Sequence, residues 1–167
     1  ENTIGTKVGD INGVEDNSLD KSNPTVNHAS SGIIGAYKYS ASSHAHPLIR
    51  FTGLAQIPPT AVLTSVTLGL YVQGGSVSSN QTFDIRRLLR TWGHTTATWN
   101  TYDGTNAWTT AGGLGAATDR TSTAVAQLTS VDLTNQYRTV TQTSGDLFDL
   151  VQNWIDGDNA NQGLHVE

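Results

Sequence analysis

The segment from Val62 to Val72 constrains the fold more than any other part of the chain. Val62, Thr64, Val66, Leu68, Leu70 and Val72 alternate with Leu63, Ser65, Thr67, Gly69, Tyr71 and Gln73. A period of two is that of a strand, and it sends the first set toward a core. The preceding Ile57-Pro58-Pro59-Thr60-Ala61 is a stiff connector whose prolines donate no ladder hydrogen bonds. Gly74-Gly75-Ser76 and Ser78-Ser79-Asn80 end the pattern in a turn or loop. Further strands are expected over Pro47 to Phe51 and Thr82 to Arg90, with Phe83, Ile85 and Leu89 inward and Leu88 out of step. Val125 to Leu133 and Gly163 to Val166 carry fainter strand patterns.

Composition agrees with this all-β reading. Charged residues are only 14% of the chain while Thr, Ser, Asn and Gly abound, which suits strands with hydroxylated outer faces. A length of 167 residues is that of one domain, residues 1–167. A net charge of -5 with nine Lys and Arg leaves no basic stripe for nucleic acid or anionic lipid. No apolar run approaches the roughly 20 residues of a membrane helix. The absence of cysteine removes both disulfides and a thiol nucleophile. The chain starts at Glu1 and contains no Met, which predicts a processed form or an excised piece and fits secretion.

One segment departs from the β pattern. Leu147, Leu150, Val151, Trp154 and Ile155 recur at helical spacing, with Thr143 or Ser144 as cap, Asp146 in the first turn and Gly157 past the end. A short C-terminal amphipathic helix is expected to plug one end of the sandwich, with Trp154 in the core. Residues 100–122, with Gly104, Gly112, Gly113 and Gly115, predict a long ordered loop and a functional surface.

The run Thr91-Trp92-Gly93-His94-Thr95-Thr96-Ala97-Thr98-Trp99-Asn100 joins several others. They are Asn23-Pro24-Thr25-Val26-Asn27, Leu48-Ile49-Arg50-Phe51, Leu54 through Ile57-Pro58 to Ala61, Leu68-Gly69-Leu70-Tyr71, and Ile85 to Leu88. Trp108 with Gly112-Gly113, Val151-Gln152-Asn153-Trp154 and Asn161-Gln162-Gly163-Leu164 complete the set. In this order and spacing they resemble the DNRLRE-domain family, extracellular β-sandwich modules related to carbohydrate-binding modules. The resemblance implies a jelly-roll-like antiparallel β-sandwich, a non-catalytic appendage of polysaccharide-degrading enzymes, surface proteins or phage particles. It places Trp92 and Trp99 in the core. Family members continue past the Gly-Leu strand into a last strand or hairpin, whereas this chain stops at Val166-Glu167. A missing last strand, or one supplied by an identical neighbouring subunit at an open sheet edge, is therefore expected. The scarcity of Lys and Arg makes the acidic polysaccharides bound by some relatives a less natural ligand here.

Sugar binding calls for exposed aromatic faces beside amides and hydroxyls, and Trp108, Tyr102, Tyr37 and Tyr39 are the expected carbohydrate-binding residues. For a structural Ca2+, Asp156, Asp158, Asn159 and Asn161 supply oxygens in one short segment, although without the fixed glycine and terminal glutamate of an EF-hand loop a solvated Asx turn is the favoured reading. Asp16, Asn17 and Asp20 form a second such cluster. His44-Ala45-His46 on a strand would put two imidazoles on one face for a transition metal, needing a third ligand that sequence does not place among His28, His94 and His165, but Pro47 and Ser42-Ser43 point to a loop here and against a metal. No nucleophile elbow, zinc-protease helix or phosphate-cradling loop is present, so no enzyme is expected. Two functions follow. One is an extracellular carbohydrate-binding or adhesion module that meets a polysaccharide or glycan surface; the other is a structural subunit of a phage virion surface or extracellular filament.

Overall fold

The computed structural model describes residues 13–72, 81–130 and 136–167. Along the chain lie strands β1 (Val14–Asp20), β2 (Tyr37–Ser40), β3 (Ser43–Phe51), β4 (Val66–Val72), β5 (Gln81–Arg87), β6 (Ala126–Ser130) and β7 (Gln136–Gln142). Helix α1 (Asp146–Asp156) and strand β8 (Leu164–Val166) follow. The strands form a six-stranded antiparallel sheet of order β1-β3-β8-β5-β6, with β2 also on β3, and a two-stranded sheet β4-β7. The expected all-β antiparallel sandwich with one short C-terminal helix is what the chain forms.

β8 is not a margin. It pairs with β3 through Leu48–His165 and Ile49–Leu164 and with β5 through Ile85–Val166, Arg86–His165 and Arg87–Leu164. The backbones of Asp84 and Glu167 then exchange both N–H···O bonds, at 2.9 and 3.0 Å. The strand expected to border an open edge is therefore paired on both sides. Leu164, His165 and Val166 are all buried, as befits its central position.

The large sheet is covered on both faces. Ile49, Ile85, Ala126, Leu128, Leu164 and Val166 point to one side and join Leu68 of β4 and Leu147, Leu150 and Trp154 of α1 in one buried cluster. Leu19, Leu48 and Leu88 point to the other, against Trp92, Ala97, Trp99 and Trp108. At ~2 kcal/mol per buried Leu-sized side chain, both layers contribute substantially to stability. Trp92, Trp99 and Trp108 thus do not lie between the two sheets, as a simple sandwich would place them. They form a third layer, built by the segment that links β5 to β6.

Several local expectations change for this reason. Leu88 is fully buried and Leu89 is 37% exposed, the reverse of the expected inward set. The strand ends at Arg87, and Leu88 keeps the parity of Asp84 and Arg86, whose face is roofed by the tryptophan layer. Val62 is 86% exposed because the pairing of β4 starts only at Val66; Val66, Leu68 and Leu70 do point inward. Of the strand expected over Val125 to Leu133, Ala126–Ser130 is seen, and residues 131–133 lie outside the described residues. Neither Thr143 nor Ser144 caps α1. Gly145 occupies the cap position, and the Gln142 side-chain oxygen accepts from the backbone N–H of Leu147 (2.9 Å) and Phe148 (3.3 Å). Gly157 ends the helix in the left-handed conformation, as expected.

Candidate functional site

At the β2 end of the large sheet, Ser18, Asp20, His28, Ser31, Ile33, Gly35, Tyr37 and Ala45 enclose a recess of about 150 Å³. β1 supplies Ser18 and Asp20, which share a face because they are two residues apart, and β3 supplies Ala45 directly across from Asp20. The segment between β1 and β2 forms the remaining wall. It is tied down by buried Asn17, whose amide donates to the Ala97 carbonyl (2.8 Å) and accepts from the His28 N–H (2.9 Å). Ser18 Oγ accepts from the Gly35 N–H at 2.7 Å.

Asp20 is the electrostatic centre of the recess. It is 8% exposed and accepts from the Ser22 N–H, the Asn23 amide and the Tyr37 hydroxyl, each at 2.8 Å, with His28 Nε2 at 3.9 Å. Burial alone would push its carboxyl up, but the bonds from Asn23, Ser22 and Tyr37 and the field of His28 prevail and hold it below the ordinary carboxylate range. The site therefore presents a fixed carboxylate with a half-buried tyrosine and imidazole beside it. Asp20 is expected from sequence only in a cation cluster with Asp16 and Asn17, and the Asp-x-Ser turn spacing is the local signal that could have found its role; His28 carries none, because only the loop fold brings it back to β1.

The expected aromatic site is divided. Tyr37 lines the recess, and the side chain of Tyr39 lies outside the described residues. Trp108 is not on the surface: it is 4% exposed, and its indole N–H donates to the Thr98 carbonyl at 2.9 Å. Tyr102 packs its edge on Trp108 at 5.8 Å, and the Arg90 guanidinium covers it at 4.7 Å. Their burial follows from the roof they form over β3 and β5. Trp92 and Trp99 are core residues, as expected, with the Trp92 N–H donating to the Gln162 carbonyl at 2.8 Å. What orders the long loop is Asp119. Fully buried, it accepts from the N–H of Thr109, Thr110 and Gly115 and from Arg90 Nε.

The oxygens of Asp156, the last residue of α1, and of Asp158, Asn159 and Asn161 beyond it meet different surroundings. Asp156 accepts from the Gln152 amide, Asn159 from the Arg87 guanidinium and Asn161 from the Gly163 N–H, and Asp158 is exposed. Three of the four thus serve separate donors, one of them cationic. Asp16, Asn17 and Asp20 also separate, since Asn17 faces the tryptophan layer and Asp20 the recess. The histidines do gather. His44 and His46 rings lie 5.3 Å apart on one face of β3, both against the edge of Trp99, and His46 lies 5.1 Å from buried His165. His28 and His94 belong elsewhere, His28 in the recess and His94 beside Trp92.

Fold and recess together define a β-sandwich module with a small polar pocket beside its sheet edge. Residues 10–146 match the family model of carbohydrate-binding module family 96, and the chain belongs to that family. No curated protein and no solved structure matches it.

Proposed function

We propose that this is a non-catalytic polysaccharide-binding module, related to the DNRLRE-type domains, that works outside the cell and holds a neutral glycan segment at the recess of Asp20, His28 and Tyr37. The observation that carries the reading is the family match over residues 10–146. The recess supports it chemically. A tyrosine ring offers a face to a pyranose, and a fixed carboxylate accepts from vicinal hydroxyls. The same carboxylate repels uronate and sulfate groups, which favours neutral chains over acidic ones. Asp20 already accepts three hydrogen bonds and is held ionised, so it lacks the proton that a glycosidase acid must deliver.

Calorimetric titration and affinity electrophoresis against neutral and acidic polysaccharides test this. Retention by a neutral glycan is expected, with Tyr37→Ala weakening it about 10-fold, the scale of one aromatic contact. Binding unchanged in a folded Tyr37→Ala variant would relocate the site, and no binding to any polysaccharide would refute the function.

A further inference from the structure

On the face of the large sheet opposite the recess, we propose that His46, His165 and Glu167 bind a divalent first-row transition-metal ion of the zinc class. Each of the three offers one donor atom, and these atoms lie within 4.8 Å of one another. Sheet register brings them together. His165 and Glu167 are two residues apart on β8 and its extension, and the β3–β8 register, continued by two residues, sets His46 across from Glu167. All three share the face of Leu48 and Leu88.

The hydrogen bonding around His165 decides which atom is free. Its Nε2 lies 3.0 Å from the Gly112 carbonyl, which can only accept, so Nε2 carries the proton and Nδ1 keeps a lone pair. That Nδ1 is fully buried and has no hydrogen-bond partner among the described residues. Glu167 Oε2 lies 3.9 Å from it and is itself an acceptor. Nδ1 of His46 is likewise buried and unpartnered. The lone pair of His165 Nδ1 thus faces a carboxylate oxygen with no hydrogen between them, and a second buried ring nitrogen without a partner lies on His46 beside it, an arrangement costly in a protein interior unless a cation sits there.

Neutral imidazoles are what a metal requires. A ligating histidine typically donates its other N–H to a backbone carbonyl, as His165 does to Gly112. Glu167 is held in place by Arg86 at one oxygen and by Arg120 at the other (2.9 Å), which leaves lone pairs for coordination. With Asp84 on Arg86, the two arginines and two carboxylates around the site balance in charge, so the approach of a cation is not opposed. Tetrahedral zinc places its donors about 3.4 Å apart, and small side-chain rotations close the difference. Two imidazoles in three donors select against Ca2+ and Mg2+.

The test is calorimetric titration of the chelator-treated protein with Zn2+, with Co2+ as a spectroscopic probe and Ca2+ and Mg2+ as controls. One Zn2+ per chain is expected, with visible absorption of a Co2+ complex of low coordination number and a raised thermal midpoint. His46→Ala, at the less buried ligand, should weaken Zn2+ binding about 100-fold or more, since even the loss of an outer partner costs 10–100-fold. His94→Ala, outside the cluster, should leave it unchanged. Absence of stoichiometric Zn2+ binding by the folded protein, or full affinity in folded His46→Ala, overturns the proposal. Neither outcome bears on glycan binding at the recess.

Discussion

At the scale of single residues, the most demanding position is Asp119. A buried carboxylate is expensive unless every oxygen is used, and here three backbone N–H groups and Arg90 use them. Burial pushes this carboxyl up, but the bonds from Thr110, Arg90, Thr109 and Gly115 outweigh it and hold it below the ordinary value. A carboxyl depressed in the folded state contributes stability that is complete above its unfolded pKa, about 3.9, and is lost as pH falls through the folded value. Asp119→Asn should therefore cost about 3 kcal/mol near neutrality and flatten the acid limb of stability against pH. Urea midpoints measured from pH 7 to pH 2 check both. Sequence offered little hint of this role, because an Asp in a glycine-rich loop reads as solvated until the loop folds around it. Gly112 is the opposite case. Its φ of +82° and a Cβ position 2.6 Å from the Trp99 ring explain a glycine that sequence had marked as part of a loop and of a family motif.

At the scale of elements, period and composition carried far. The strands around Pro47–Phe51, Val66–Val72, Gln81–Arg87 and Leu164–Val166 and the helix all stand where alternation or helical spacing put them. Helix capping was less legible. A Ser or Thr before the first turn is the usual cap, yet β7 delivers Gln142 at its end, close enough to accept from Leu147 and Phe148. Gln142→Ala should cost about 1 kcal/mol and Ser144→Ala close to nothing, compared by chemical denaturation followed through far-ultraviolet circular dichroism. The Leu88–Leu89 inversion has a similar origin. Alternation says which residues share a face, but not that both faces of a sheet are covered.

At the scale of the molecule, three layers explain both sites. The six-stranded sheet separates the β4-β7 sheet and α1 from the tryptophan-rich layer, with the recess at one end and the histidine cluster beneath the loop. β8 is the keystone, because removing it would leave β3 and β5 unpaired along their shared line. The amides of Leu164–Val166 should exchange with solvent as slowly as the slowest in β3 and β5, at or near the global unfolding free energy. Hydrogen-exchange mass spectrometry would show this, and rapid exchange there would mark β8 as a loosely held margin.

The sequence by itself determined the class of fold and the positions of most strands and the helix, because these depend on local periodicity and turn chemistry. Only the tertiary structure decided that Trp108 is buried while Tyr37 lines a recess, and that β8 lies inside the sheet. It also decided that His165 comes to rest beside His46. Those outcomes depend on contacts between residues far apart in the chain, His46 and His165 among them, and no pattern within a single segment encodes which distant surface will cover it.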